Sequence, residues 1–181
     1  MRPPLALLPV LLLPILAATT ALAHGPTPQK IDGSIAIQAP PDAVWRVMGD
    51  FDRIAGWHPD VARAEGTGGN AEGATRRVTL KAGGTLVEGL DEWKADARTY
   101  SYRLSDPDLA ALPVSSYSAT LTVTPEAGGS RVSWTGRFYR GDTGNEPPET
   151  LDDAAGRTAM TRFVTDGLQG LKAAVEGRAT R

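Results

Sequence analysis

The sharpest chemical position in this sequence is Glu88. Leu86, Glu88 and Leu90 recur at two-residue spacing in an apolar run, so an extended chain points all three the same way. If that face is buried, a carboxyl group sits between two leucines and needs a partner or a proton. Such acids mark sites when they lie in clefts. The opposite reading turns Val87 inward and leaves Glu88 in water. Trp57 and His58 precede Pro59, which forces His58 into an extended conformation. Trp57 serves either as a core plug or as a ligand contact. His58 is a candidate donor, base or turn cap. No serine or cysteine is visibly paired with it, which leaves a hydrolytic triad without support. Tyr102, Tyr117, Trp134 and Phe138 fall on alternating strand positions, where they line a cavity or fill it, and buried tyrosine hydroxyls there need partners. For acid–base chemistry the candidates are Glu88, His58 and Tyr102.

These residues need a scaffold, and the clearest element is the last. Met160, Phe163, Val164, Gly167, Leu168, Leu171 and Val175 form one apolar stripe on a helix spanning 150–177. Pro147 and Pro148 precede it, and Thr150 with Asp153 reads as a capping box. The stripe carries no acid, nucleophile or metal ligand, so chemistry must come from whatever the helix covers. Gly167 interrupts the stripe at a cost of roughly 1 kcal/mol relative to alanine, and its missing side chain predicts room for a cavity beneath the helix.

Upstream, Ser34 to Ala39 reads as a first strand and 42–48 and 50–55 as two short helices. From Val61 the period changes to two, with strands at 61–66, 74–81, 85–93, 98–104, 114–124 and 131–139, separated by Gly- and Asp-rich turns. Short turns between successive strands predict an antiparallel meander. Tyr117, Ala119, Leu121 and Val123 share a face, as do Tyr100, Tyr102 and Leu104, and these faces should meet the C-terminal helix. The expectation is an α+β, helix-grip architecture: a curved seven-stranded antiparallel sheet wrapped around one long helix.

Composition narrows the classes. The chain has 181 residues, formal charge −2 and no cysteine. That length suits one domain, the charge gives no basic patch for nucleic acid, and thiolate chemistry is excluded. Arg2, the apolar run Leu5 to Leu16 and the small-x-small triplet Ala21-Leu22-Ala23 read as a cleaved export signal over 1–23, with no stable membrane insertion afterwards. Residues 24–32 read as a linker, 33–177 as the domain and 178–181 as a tail. With cleavage after Ala23, His24 becomes amino-terminal. A copper site would then need the linker to fold back onto His58, the second of two histidines, so no metal is assigned. Gly66-x-Gly68-Gly69 and Gly83-Gly84 fall at hairpin turns, not after a strand entering a helix, and no nucleotide or other cofactor is assigned.

The stretches 39–45 (APPDAVW), Phe51-x5-Trp57-His58-Pro59, Val87-Glu88-Gly89-Leu90, Tyr100-Ser101-Tyr102, Tyr117 to Val123 and Val132-Ser133-Trp134 come in an order that resembles the START-like (SRPBCC) superfamily over about 33–177. That superfamily includes polyketide cyclases and dehydrases, lipid-transfer domains and plant hormone receptors. The resemblance implies a helix-grip fold around a cavity for a small hydrophobic ligand. In the hormone receptors the matching glutamate lies in the cavity and a basic residue follows the Trp-His-Pro turn. That implies Glu88 and Arg63 as pocket residues able to pair, with an exposed Arg63 as the alternative. The implied pocket is Trp57, His58, Arg63, Glu88, Tyr102, Leu104, Tyr117, Ala119, Trp134, Met160, Phe163, Val164 and Gly167. Within the superfamily, residues 24–30, 112–115 and 136–144 are similar to periplasmic accessory proteins of methanol-oxidation gene clusters. That likeness implies a non-catalytic role beside methanol dehydrogenase and its cytochrome. A cyclase/dehydratase enzyme and a periplasmic hydrophobe carrier are the alternatives.

Overall fold

The computed structural model describes residues 25–179; the expected export signal and the last two residues of the expected tail lie outside them. Strand β1 (Gln29–Ile37) is followed by helix α1 (Pro41–Met48) and a 3₁₀ turn (Phe51–Gly56). Six strands come next: β2 (Val61–Thr67), β3 (Thr75–Leu80), β4 (Thr85–Lys94), β5 (Thr99–Asp106), β6 (Val114–Glu126) and β7 (Gly129–Arg140). Helix α2 (Asp153–Ala179) closes the chain. The strands form one antiparallel sheet in the order β1-β7-β6-β5-β4-β3-β2. This is the helix-grip arrangement.

The alternation that marks the strands also buries them. Tyr100, Tyr102, Leu121, Val132, Trp134 and Phe138 are each at most 2% exposed. Tyr100 and Tyr102 pack on Phe51, and Tyr100 also on Trp45, rather than on α2. Trp134 meets Phe163 of α2 and Phe138 lies against its Gly156, where α2 covers strands β1 and β7. The α2 stripe meets them: Met160, Phe163, Val164, Leu168, Leu171 and Val175 are all buried. Completely burying side chains of this size contributes about 1.5–3 kcal/mol each before chain entropy is counted.

Two expectations shift. Residues 29–32 are strand, not linker: they pair with β7 from Gln29 opposite Phe138 to Asp32 opposite Thr135. Their sequence is mostly polar because β1 is an edge strand, and only Ile31 among them is buried. The free side of β1 is covered by α2. Lys172 donates to the Ala36 carbonyl at 2.7 Å, the Gln38 N–H donates to Glu176 at 2.9 Å, and a Cβ on Gly33 would lie 2.6 Å from Val164. An edge strand exposed along its length invites pairing with other chains, and this helix prevents it. The α2 cap also moves. Asp152 accepts from the Ala155 N–H at 2.8 Å through its side chain and from the Gly156 N–H at 3.0 Å through its carbonyl. Thr150 remains in the preceding turn, because the Leu151 N–H donates to the Pro148 carbonyl and the Leu151 carbonyl accepts from the Asp142 N–H. Arg140 pins that connection, donating to the carbonyls of Asp142 and Gly144 at 2.7 Å each and pairing with Asp153 at 3.3 Å.

Candidate ligand-binding site

Glu88 does point inward. It is 2% exposed, and its partner is Arg76, directly opposite on β3. Arg76 Nε donates to Glu88 Oε2 at 2.5 Å, and Arg76 Nη1 donates to the Phe51 carbonyl at 2.5 Å. The Tyr117 hydroxyl donates to Glu88 Oε1. The guanidinium is held between two rings, 4.2 Å from the Phe51 centroid and 4.8 Å from that of Tyr102. Burial pushes the Tyr117 phenol well above its ordinary pKa, and the Glu88 charge pushes the same way, so Tyr117 stays a proton donor. Tyr102 is raised for the same two reasons. Burial would lower the Arg76 pKa, but Glu88 together with Tyr100 and Tyr102 outweighs it and the net shift is upward. Arg76 Nη2 meets no acceptor in hydrogen-bond geometry, with Tyr100 as the neighbouring hydroxyl. The cluster therefore ties the 3₁₀ turn to β3, β4 and β6 through one charge pair.

Arg63 is elsewhere. Its side chain is 65% exposed and lies 3.7 Å from Glu65. The β2–β3 register places Arg63 opposite Thr79 after a bulge; the alternating residue that faces inward in this part of the sheet is Arg76 on β3, with Val78 and Leu80. The signal for this was present. Arg76 and Glu88 are equidistant from the centre of the β3–β4 hairpin, but the Arg76-Arg77 pair hides which arginine faces in.

His58 has both ring nitrogens committed. Nδ1 accepts from the Asp60 N–H at 3.2 Å, and Nε2 lies 2.9 Å from the Phe163 carbonyl. A backbone N–H can only donate and a carbonyl can only accept, which fixes the neutral tautomer with the proton on Nε2. Burial lowers the His58 pKa to about 4 despite the bond to Phe163, which pulls it upward. The imidazole stacks on Phe163 with centroids 4.1 Å apart and meets Trp134 edge-on at 6.1 Å. His58 thus fastens the middle of α2 to the turn before β2.

This packing fills the space expected beneath Gly167. A Cβ there would lie 2.6 Å from His58 and 2.7 Å from Trp134, and one on Gly170 would lie 2.2 Å from the Trp57 carbonyl. These glycines let α2 sit close on the His58–Trp134 layer; Gly167 leaves no cavity.

Open space lies at the N-terminal half of α2. A cleft of about 700 Å³ runs between α2 and the loops β3–β4 and β5–β6. Leu80, Ala82, Ala111, Leu112, Ala155, Thr158, Ala159 and Phe163 line it, with Asp60, Lys81 and Arg162 adding charge. The volume is that of a small-molecule site. Of the implied pocket residues only Phe163 borders this cleft. Trp57, His58, Glu88, Tyr102, Leu104, Tyr117, Ala119 and Trp134 are buried packing, and Met160 and Val164 border a smaller hollow of about 160 Å³ beside β1. Glu88, His58 and Tyr102 are not assembled at the cleft. The residues that sequence reasoning missed are small, aliphatic or charged and come from four separate segments, so no local pattern marked them. Among the described residues there is no cluster of three or more His, Asp or Glu able to hold a metal, and no helix long and apolar enough to cross a membrane.

A curved sheet gripping one helix, with an apolar cleft at the helix's open end, defines a helix-grip binding scaffold. The chain belongs to the family described as polyketide cyclase / dehydrase and lipid transport, which residues 28–176 match. Members of that family generally bind hydrophobic ligands. MLP-like protein 423 of Arabidopsis thaliana is 23% identical over 129 residues, covering 67% of this chain and 83% of that protein. Among solved structures, XoxI from Bacillus cereus is 25% identical with a TM-score of 0.67, covering 83% of this chain and 97% of that one. A protein from Thermobifida fusca is 29% identical with a TM-score of 0.65, covering 82% and 93%. The Zhui aromatase/cyclase from a Streptomyces species, at 17% identity, TM-score 0.67 and coverage of 84% and 96%, shares the fold.

Proposed function

We propose that this protein is a non-catalytic binding protein that takes a small apolar or amphipathic molecule in the cleft beside α2. The observation that carries this reading is the division of labour inside the domain. The cleft is walled by aliphatic and aromatic side chains, while the buried ionisable groups Arg76, Glu88 and His58 are held by the protein's own partners. Binding in such a cleft needs apolar area and a few orienting polar groups. A fluorescent apolar probe titrated into the protein tests it. Saturable binding that is lost in Ala159→Trp, which fills the cleft wall, supports the reading. Binding unchanged by that substitution removes it.

The finer reading is an exported accessory factor for periplasmic methanol oxidation, aiding electron transfer from methanol dehydrogenase to its cytochrome. The export-signal pattern over 1–23 and the likeness of residues 24–30, 112–115 and 136–144 support it. Its test is the rate of that electron transfer with and without the purified protein, and an unchanged rate counts against it. Sequencing the amino terminus of the exported product checks cleavage after Ala23. The family's description equally covers lipid transport and cyclisation. A carrier would use the same cleft. A cyclase or dehydratase would need an acid or base facing the ligand, a role for which Glu88, His58 and Tyr102 are poorly placed.

A further inference from the structure

The rim of the cleft is not neutral in the way its walls are. Lys81 stands at the β3–β4 turn, exposed, and it makes no ion pair among the described residues. Arg162 stands on α2 among the other lining residues, and its one ion pair is with Asp166 at 3.3 Å in largely open solvent. Such an i,i+4 pair is weak and easily exchanged for a better anion. Asp60 is the single acid lining the cleft. Its carbonyl accepts from the Lys81 N–H at 2.8 Å, which fixes the Lys81 backbone beside it. The cleft therefore presents two available cations from two different elements above an apolar floor. That floor ends at Phe163, which the stacked His58 ring blocks from behind.

Resting on the binding role proposed above, we infer that the ligand is an amphiphile with an anionic head, its tail on Phe163, Leu80 and Leu112 and its head between Lys81 and Arg162. Two solvent-exposed charge contacts together contributing about 1.4 kcal/mol give roughly tenfold preference for an anionic head at low salt.

The test compares three probes with one tail: dodecanoate, dodecyl phosphate and dodecan-1-ol, each displacing the fluorescent apolar probe from the intact protein. Both anions should bind about tenfold more tightly than the alcohol at low salt, with most of that preference lost at about 1 M salt. In the double variant Lys81→Met/Arg162→Met the anions should fall to the alcohol's affinity while the alcohol binds as before. Equal affinities of the three probes in the unaltered protein, or a preference that survives the double variant, overturn the headgroup assignment and leave the cleft reading standing. If none of the three displaces the probe, the headgroup assignment falls, while the cleft reading stands or falls with the Ala159→Trp titration. A gain of dodecyl phosphate over dodecanoate identifies a phosphoester head, since its larger charge near pH 7 and third acceptor oxygen suit two cations; parity identifies a single negative charge as sufficient.

Discussion

The Arg76–Glu88 cluster and the cleft beside α2 belong to one domain but follow opposite rules. In the cluster the charges are taken out of water and nearly every polar atom is spoken for by a residue from another strand or turn. In the cleft the wall side chains are small, aliphatic or aromatic, and the cations Lys81 and Arg162 sit exposed at the edge. A buried charge pair is demanding in geometry: removing one partner strands the other, even where replacing both with apolar residues is nearly neutral. An apolar wall has no such demand and tolerates exchange of its contents. The comparison teaches that an ionisable residue inside a grip fold is not by itself a sign of the working site. Here the buried charges close the scaffold, and the space for a ligand opens where the charges are absent from the walls.

The largest effect expected from breaking this contrast is at the cluster. Arg76→Ala leaves Glu88 buried without its charge partner and should cost about 3–5 kcal/mol of stability in urea unfolding, while probe binding to the fraction still folded is unchanged. A loss below ~1 kcal/mol would show that Glu88 is not held as a buried charge. Next comes His58. The unfolded chain takes up a proton here below pH 6.5, and the folded one resists until about 4. Stability from this group is therefore complete above pH 6.5 and declines as pH falls toward 4, by about 3 kcal/mol in all. His58→Gln should flatten that part of the pH–stability curve relative to the unaltered protein. A curve of the same slope would mean that His58 titrates freely in the folded state.

Gly167→Leu drives a side chain into His58 and Trp134 and should destabilise by about 1–3 kcal/mol, with a raised rate of unfolding. If the variant is as stable as the parent, the helix does not sit as close as the His58–Trp134 layer implies. The smallest stability change is expected at Ala159→Trp, within about 0.5 kcal/mol of the parent, although probe binding is lost. A variant that binds normally while unfolding early would reverse the assignment of the two regions.

Much of this domain was legible in its residues. Period two in 61–139 and the stripe from Met160 to Val175 required a sheet and a helix with matching faces, because such patterns bury only against an apolar partner. Leu86 and Leu90 marked Glu88 as a candidate inward acid, but the opposite face was equally consistent with the pattern, and burial in the sheet decided between them. Its partner was not legible. Choosing Arg76 over Arg63 or Arg77 depends on strand register, which the hairpin centre suggests but only pairing of β3 with β4 fixes. Gly167 misled for a related reason. A missing side chain on a helix face signals closeness or emptiness equally, and only the positions of His58 and Trp134 decide which. The polar 29–32 segment became strand because β7 offered it a ladder and α2 covered its free edge. The sequence by itself determined which elements form and which faces they bury, since hydrophobic periodicity is a local property. Tertiary structure alone decided which charges meet, where the helix closes down and where it stands off, because each of those is a distance between segments that the chain order does not contain.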